Sequence, residues 1–438
     1  MFMIPYKKSY FLFLTLYFVF SSCSIQKQVH RSARQVIGDT SLLSAHVGIS
    51  IYEPATDRYW YNYQGDKYFV PASNTKIPTC YAAMKYLGDS LRGLDYIETD
   101  TMLFIRSTAD PTLLHRDFKK NPVFDFLKRQ NKPLAYVYPG WQVHVYGKGW
   151  SWDDYNESYM PERSALPVYG NVIEFRLVNE GGKYDIKSDI HFFRYALNPR
   201  VDPITPYVKI TRRRTENRFD VFGSNAVFTK AQIPFRTYEN ERVLEDTLKK
   251  FWLDNVYPAS DSKFVIVKSH PADSVLKPMM HRSDNFFAEQ ILLMVSNELL
   301  GVMNDEKIID TLLKTDFNDL PQRPGWADGS GLSRYNLFTP QSFVSILTKM
   351  KNEFGMERIK VVFPTGGEGT LSGYYKKDSG FIYAKTGTLS GVVSLSGYVY
   401  TKKNRLLLFS VLINNHRSSA VAVRRVVEKF ILEIRNKY

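Results

Sequence analysis

The stretch VPASNTKIPTC (70–80) places a serine and a lysine three residues apart, Ser73 and Lys76, beside a proline-rich turn. On a helix, positions i and i+3 share a face, so the pair has two readings. It is an N-cap opening an ordinary helix, or a hydroxyl with its base one turn away. Two specified positions in four do not separate them. The rest of the chain has to decide.

Around this stretch the pattern is legible. HVGISIYEP (46–54) alternates and is rich in β-formers, and DRYWYNYQGD (57–66) follows a turn signal, which predicts a hairpin. From Ser73 the pattern turns helical, NTKIPTCYAAMKYLGDS (74–90), ending near Gly88, with Pro78 early enough to be tolerated. Residues 94–254 read as short strands between loops, among them DTMLFIRS, LAYVYPGWQVHVYG, VIEFRLV and VKITRRR. Helical runs return with VLEDTLKKFW (243–252), DNFFAEQILLMVSNELLG (284–301) and TPQSFVSILTKMKNEF (339–354). Strands follow at GFIYAKTG (380–387), VVSLSGYVYT (392–401) and RLLLFSVLINN (405–415), then a last helix at 420–436. The expected fold class is α/β (α+β): a sandwich of an antiparallel sheet with helices, carrying a largely β inserted region. The expected divisions are 24–93 and 255–438 for the sandwich and 94–254 for the insertion.

Two more motifs bear on Ser73. HRSDNFF holds Ser283-Asp284-Asn285 where a helix is expected to start. YAKTGTLSG holds Lys385-Thr386-Gly387-Thr388 where a strand is expected to end. Alone, each reads as a helix cap or a strand end with a turn. Ser-x-x-Lys, then Ser-x-Asn, then Lys-Thr-Gly, in that order, resembles the signature set of the penicillin-binding proteins and serine β-lactamases. The resemblance implies that Ser73 is the nucleophile and Lys76 its base. A lysine serves as a base only when part of it is neutral, which burial and a second cation such as Lys385 favour. Ser283 would relay the proton to the leaving amine, while Asn285 would hold the substrate amide and orient Lys76. Lys385, Thr386 and Thr388, about Gly387, would take a terminal carboxylate. The N–H groups of Ser73 and Thr388 would form the oxyanion hole.

Lys76 and Ser283 are 207 positions apart, a spacing far beyond that of a small β-lactamase. The chain resembles the low-molecular-mass class C penicillin-binding proteins, D-alanyl-D-alanine carboxypeptidases and endopeptidases of serine peptidase family S13. FVPASNTK, GWSWDDYNESYMPERSALPVYGN (149–171), ADGSGLSRYN (327–336) and FPTGGEGTLSG (363–373) carry that likeness, which spans nearly everything after residue 45. Three features depart from the family pattern: STADPTL (107–113) lacks its glycines, Pro78 sits in the nucleophile helix, and the insertion is shortened. The resemblance further implies that Asp154 and Tyr159 face the dibasic side chain preceding D-alanine, with Leu332 and Arg334 lining the same pocket. The competing reading has Asp154 capping a loop and Arg334 pairing with a structural carboxylate. Trp150 and Trp152 are expected to pack rather than bind.

The N-terminus names a compartment. Lys7 and Lys8 precede the apolar run YFLFLTLYFVF (10–20) and then SSC, a secretory pattern too short to span a bilayer. Cys23 stands where a bacterial lipoprotein is acylated, so residues 1–23 are expected to be a signal and the location the periplasm or cell envelope. Membrane contact would come only through that anchor. Cys80, the one other cysteine, is expected to be a small buried helix residue. The eight histidines show no ligand spacing, and no metal or cofactor is expected. Net charge is +14, but the basic residues are scattered and no nucleic-acid motif accompanies them. The expected partners are peptidoglycan stem peptides, with β-lactam antibiotics as covalent inhibitors. The rival readings are a β-lactamase-like hydrolase, which needs fast deacylation, and a catalytically silent wall-binding protein.

Overall fold

The computed structural model describes residues 27–181, 183–200, 208–223, 230–254, 256–260 and 262–438. The signal expected over 1–23, with Cys23, lies outside them. The chain begins with α1 (27–37), β1 (His46–Glu53), β2 (Arg58–Tyr63), α2 (Lys76–Tyr86), β3 (Ser90–Glu98), β4 (Leu103–Ser107), α3 (Pro122–Arg129) and β5 (Leu134–Tyr136). It continues with β6 (Val172–Glu180), β7 (Lys183–Ser188), β8 (Leu197–Arg200), β9 (Lys209–Arg212), β10 (Phe219–Phe222), β11 (Lys230–Pro234), α4 (Asn240–Leu248), β12 (Trp252–Leu253) and β13 (Val265–Pro271). It closes with α5 (Ala272–His281), α6 (Asn285–Leu300), α7 (Asp305–Lys314), α8 (Pro340–Val362), β14 (Ile382–Leu389), β15 (Val392–Tyr400), β16 (Leu406–Asn414) and α9 (Ala420–Lys437). The described residues form two compact units, one within 27–74, 319–325 and 337–438, the other within 75–318 and 326–336.

In the first unit the order β14-β15-β16-β1-β2 makes an antiparallel sheet whose middle joins the chain's two ends. Successive side chains of a strand point to opposite faces. On β16, Leu407, Phe409, Val411 and Ile413 enter a core with Val423, Val427, Phe430 and Ile434 of α9 and Val29, Ala33 and Val36 of α1. Leu408 and Leu412 are buried on the face toward α8, whose Leu347 carbonyl accepts from the Tyr398 hydroxyl of β15 at 2.8 Å. Helices on both faces are why these strands read as continuous apolar runs rather than alternating ones.

In the second unit α2 and α6 are buried nearly all round, the mark of central rather than surface helices. Pro78, at the third position of α2, replaces an N–H with no intrahelical acceptor, so it costs no hydrogen bond there. A mixed five-stranded sheet runs β12-β5-β4-β3-β13, with smaller sheets β11-β6-β7 and β8-β10-β9. The run expected as strand over 134–147 is strand only to Tyr136, because Pro139 and Gly140 follow at once. The helix expected over 243–252 stops at Leu248, where Lys249 turns left-handed at φ 57°, and Trp252 joins β12.

One buried cation ties this unit together. The Arg163 guanidinium is 1 % exposed and donates to Asp305 at 2.6 Å, Glu289 at 3.3 Å and the His144 carbonyl at 2.8 Å. Removing one partner of a buried pair strands the other charge, at about 3–5 kcal/mol. Arg163→Ala is therefore expected to lower the urea midpoint by an amount worth about 3–5 kcal/mol; a loss below about 1 kcal/mol contradicts this.

Candidate active site

The first unit carries Ser73 and the Lys-Thr-Gly strand. A 3-10 turn, Ala72–Thr75, runs directly into α2, and Ala72 is held at φ 48°, a left-handed conformation costly for a residue with a Cβ. From Pro71 to Met84 every residue is buried except Ser73, which keeps solvent contact. The turn is pinned by its neighbours: Ser394 donates to the Pro71 carbonyl at 2.7 Å. With its amide oriented to satisfy both sides, Asn74 donates to the Lys385 carbonyl at 2.8 Å and accepts from the Ser396 hydroxyl at 2.7 Å.

Strand register explains the choice of residues on β14. Lys385 opposes Ser396 and Gly387 opposes Ser394, so these four share one sheet face. A Cβ at Gly387 would lie 3.0 Å from the Ser73 nitrogen and 2.7 Å from the Pro71 carbonyl, so only glycine lets the strand approach the nucleophile's backbone. Lys385 is fully buried and donates to the Thr386 carbonyl at 2.7 Å. Thr386 and Thr388 point to the other face, where Thr386 meets the Thr370 hydroxyl at 2.7 Å and Arg424 of α9 donates to Thr388. The motif does not end its strand as expected, because β14 runs on to Leu389.

The second unit carries Lys76. Its ammonium is fully buried and donates to Asn285 Oδ1 at 2.6 Å and to the Ser330 carbonyl at 2.7 Å. Burial pushes its pKa down to about 8, against the pull of Asp328, Glu289 and Asp284, which favour the cation. Asn285 opens α6, capped by Asp284, whose carboxylate accepts from the Phe287 N–H at 3.0 Å. Asn285 also donates to the Tyr159 carbonyl at 2.9 Å, which brings the 149–171 stretch to the base. Ser283, just ahead of the cap, is left-handed at φ 65°, and strain of this kind gathers at working sites. Beside Ser283 and Asn285 lies a cleft of about 430 Å³ lined in part by His115, Arg116, Tyr159, Gln232 and Arg282.

The other expected residues fall into place unevenly. The Asp154 carboxylate is bonded by the Tyr159 hydroxyl, whose pKa is pushed up to about 12 by desolvation first and by that carboxylate second. Leu332 is half-buried and Arg334 exposed on the 327–336 loop. Trp150 donates to Asp328 at 2.9 Å, whereas Trp152 is 69 % exposed with the Arg214 guanidinium 5.3 Å over its ring. Cys80 is buried in α2. Asn74, Ser394, Ser396, Arg424, Glu289 and Asp328 also touch these groups; Asn74 and Asp328 lie in FVPASNTK and ADGSGLSRYN without a role assigned to them, and the other four lie outside every motif. The polar alternation of Ser394 and Ser396 within an apolar strand was the one local sign of them.

A family model described as D-Ala-D-Ala carboxypeptidase 3 (S13) matches residues 29–431. The D-alanyl-D-alanine carboxypeptidase DacB of Haemophilus influenzae is 23% identical over 403 residues, 81% of this chain and 82% of that protein. The D-alanyl-D-alanine carboxypeptidase of Actinomadura sp. is 24% identical over 440 residues, 88% of this chain and 80% of that protein. In fold, the chain is similar to the crystal structure of penicillin binding protein 4 from H. influenzae, with a TM-score of 0.72 at 22% identity, over 92% of this chain and 98% of that one.

Proposed function

Because this chain belongs to the D-Ala-D-Ala carboxypeptidase 3 (S13) family, we propose that it works as a serine-type D-alanyl-D-alanine peptidase on peptidoglycan stem peptides, with Ser73 as nucleophile and Lys76 as base. The observation that carries the assignment of the base is the buried Lys76 amine, oriented by Asn285 at 2.6 Å and Ser330 at 2.7 Å and three positions after Ser73 in the chain, where a 3-10 turn gives way to α2. Neutral Lys76 takes the Ser73 proton as Oγ bonds to the carbonyl carbon of the penultimate D-alanine. The oxyanion is received by the Ser73 and Thr388 N–H groups. The C–N bond breaks, the leaving amine gains a proton by way of Ser283, and water later cleaves the ester. The groups assigned to the terminal carboxylate are Lys385 on one face of β14 and Thr386 and Thr388 on the other, with Gly387 keeping the strand close to the nucleophile's backbone. A β-lactam acylates the same oxygen.

Incubation with purified muropeptides, followed by mass spectrometry, tests the reading. Loss of a terminal D-alanine supports it, loss of cross-links marks endopeptidase action on the same bond type, and unchanged muropeptides refute it. The finer assignments are Asp154, Tyr159, Leu332 and Arg334 as the pocket for the dibasic residue, 94–254 as an inserted region, and a cell-envelope location with a lipid on Cys23. No helix among the described residues is long and apolar enough to cross a membrane.

The pocket assignment has its own expected result. Asp154→Asn removes the charge facing the substrate's distal ammonium, so kcat/KM for a peptide with a free side-chain amine is expected to fall about tenfold, worth about 1.4 kcal/mol. The same peptide with that amine acetylated should be unaffected. Equal losses on both peptides would dismiss a charge-reading role.

A further inference from the structure

Glu289 follows Asn285 by one turn on α6, so both side chains occupy the helix face toward Lys76. It is 2 % exposed. Its carboxylate accepts the Ser330 N–H at 2.8 Å, and the Ser330 carbonyl accepts from Lys76 Nζ at 2.7 Å. One residue thus carries the contact from acid to base. The loop bearing Ser330 is held by Asp328, fully buried, which accepts from the Gly331 and Ser333 N–H groups at 2.8 and 2.7 Å, from Asn336 at 2.8 Å and from Trp150 at 2.9 Å. The charged groups facing Glu289 are Arg163 at 3.3 Å, Asp305 on the same Nη1 of that guanidinium at 2.6 Å, and Asp328 and Lys76. Arg163 is already divided between two carboxylates. The cluster sets Glu289, Asp328 and Asp305 against Arg163 and Lys76.

We propose that Glu289 is a positioning residue for the reaction, acting through Lys76 rather than on the substrate: it fixes the amine by way of Ser330 and its charge governs the protonation of that amine. Charge and burial oppose each other here. Burial, with Asp328 second, pushes the Glu289 pKa up to about 7, and burial pushes Lys76 down to about 8. The two are thus poised in the same range, and the Glu289 charge is among those that hold Lys76 protonated. With Glu289 ionised, the ammonium of Lys76 is favoured. With Glu289 protonated that pull vanishes, and the amine turns neutral at lower pH. No proton needs to pass between them, since their link runs through the Ser330 backbone.

The inference rests on Lys76 being the base, and the test separates the two. The second-order rate of acylation by a fluorescent penicillin is measured on the full chain between pH 5.5 and 9.5. In Glu289→Gln, which keeps an acceptor for Ser330 but loses the charge, the acid limb is expected to move down by about half a pH unit or more, roughly a threefold change in proton affinity. Glu289→Asp keeps the charge and should keep the wild-type limb, even with a lower plateau. An unmoved limb in Glu289→Gln, or an equal shift in both variants, overturns the proposal. A Lys76→Gln enzyme with the wild-type rate and limb would instead overturn the assignment of the base. Should Glu289→Gln not fold, wild-type protein with carbon-13 lysine serves, its Lys76 signal identified by loss in Lys76→Gln. Two titration steps at that signal support coupling to an acid, and a single step overturns it.

Discussion

Replacing Ser73 by alanine is expected to abolish covalent labelling by a fluorescent penicillin and to cut D-alanine release by ~10⁴-fold or more, the scale of losing a nucleophile outright. The size follows from what the surroundings cannot supply. The two acceptors that hold Lys76 in the second unit, Asn285 Oδ1 and the Ser330 carbonyl, are amide oxygens and not nucleophiles. The fold should barely notice the change, because Ser73 keeps solvent contact while its neighbours from Pro71 to Met84 are buried. Thermal unfolding followed by circular dichroism is thus expected to show a midpoint within about 2 °C of wild type, the range of surface substitutions. Labelling retained in Ser73→Ala would put the nucleophile elsewhere and end the acyl-enzyme account.

How far the sequence shows this site depends on the range of each interaction. The three motifs are visible because each needs residues close together in the chain: three positions for Ser73 and Lys76, two for Ser283 and Asn285, three for Lys385 to Thr388. The sheet of β1, β2 and β14–β16 is visible for a similar reason, since its strands are long apolar runs between turns. The partners that tune the motifs are not visible. Glu289 reads as one more polar residue of a helix, although α6 is buried on every side, and only a turn of backbone from residue 330 gives it a purpose. β3 escapes notice because it lies between β4, its near neighbour in the chain, and β13, more than 150 residues further on, and its SLRGLDYIE carries Gly93 and three charged side chains in place of an apolar run. The parting of the two compact units between Asn74 and Thr75 has no marker in hydropathy or glycine content, since it falls inside a buried helical run. Periodicity reports a residue's own face. It does not report which distant carbonyl that face will meet.

Lys76→Met should lower penicillin acylation by about 10³–10⁴-fold at pH 7, towards the upper end of what a general base contributes. Methionine matches the stem of lysine in length and belongs in a buried site, so the variant removes the amine without opening a large cavity. Some stability will also go, because Asn285 Oδ1 and the Ser330 carbonyl each lose a donor, at roughly 1–3 kcal/mol for a buried group left unpaired. The decisive readout is pH, where the sign is fixed by which form of the group works. A base needs its lone pair, so the cation is the inactive form and the rate must rise with pH. With a pKa of about 8, roughly a tenth of Lys76 is neutral at pH 7 and about a hundredth at pH 6. A lysine at its ordinary value near 10.5 would be some 300 times scarcer in the neutral form at pH 7. The wild-type acylation rate is therefore expected to climb several-fold from pH 6 to pH 7, up to about tenfold if no other group titrates with Lys76, and to level off above pH 8, whereas the residual rate of Lys76→Met should lack that rise. A wild-type rate that stays flat between pH 6 and 9 would mean that the burial of this amine does not serve to free its lone pair, and another group would have to take the serine proton.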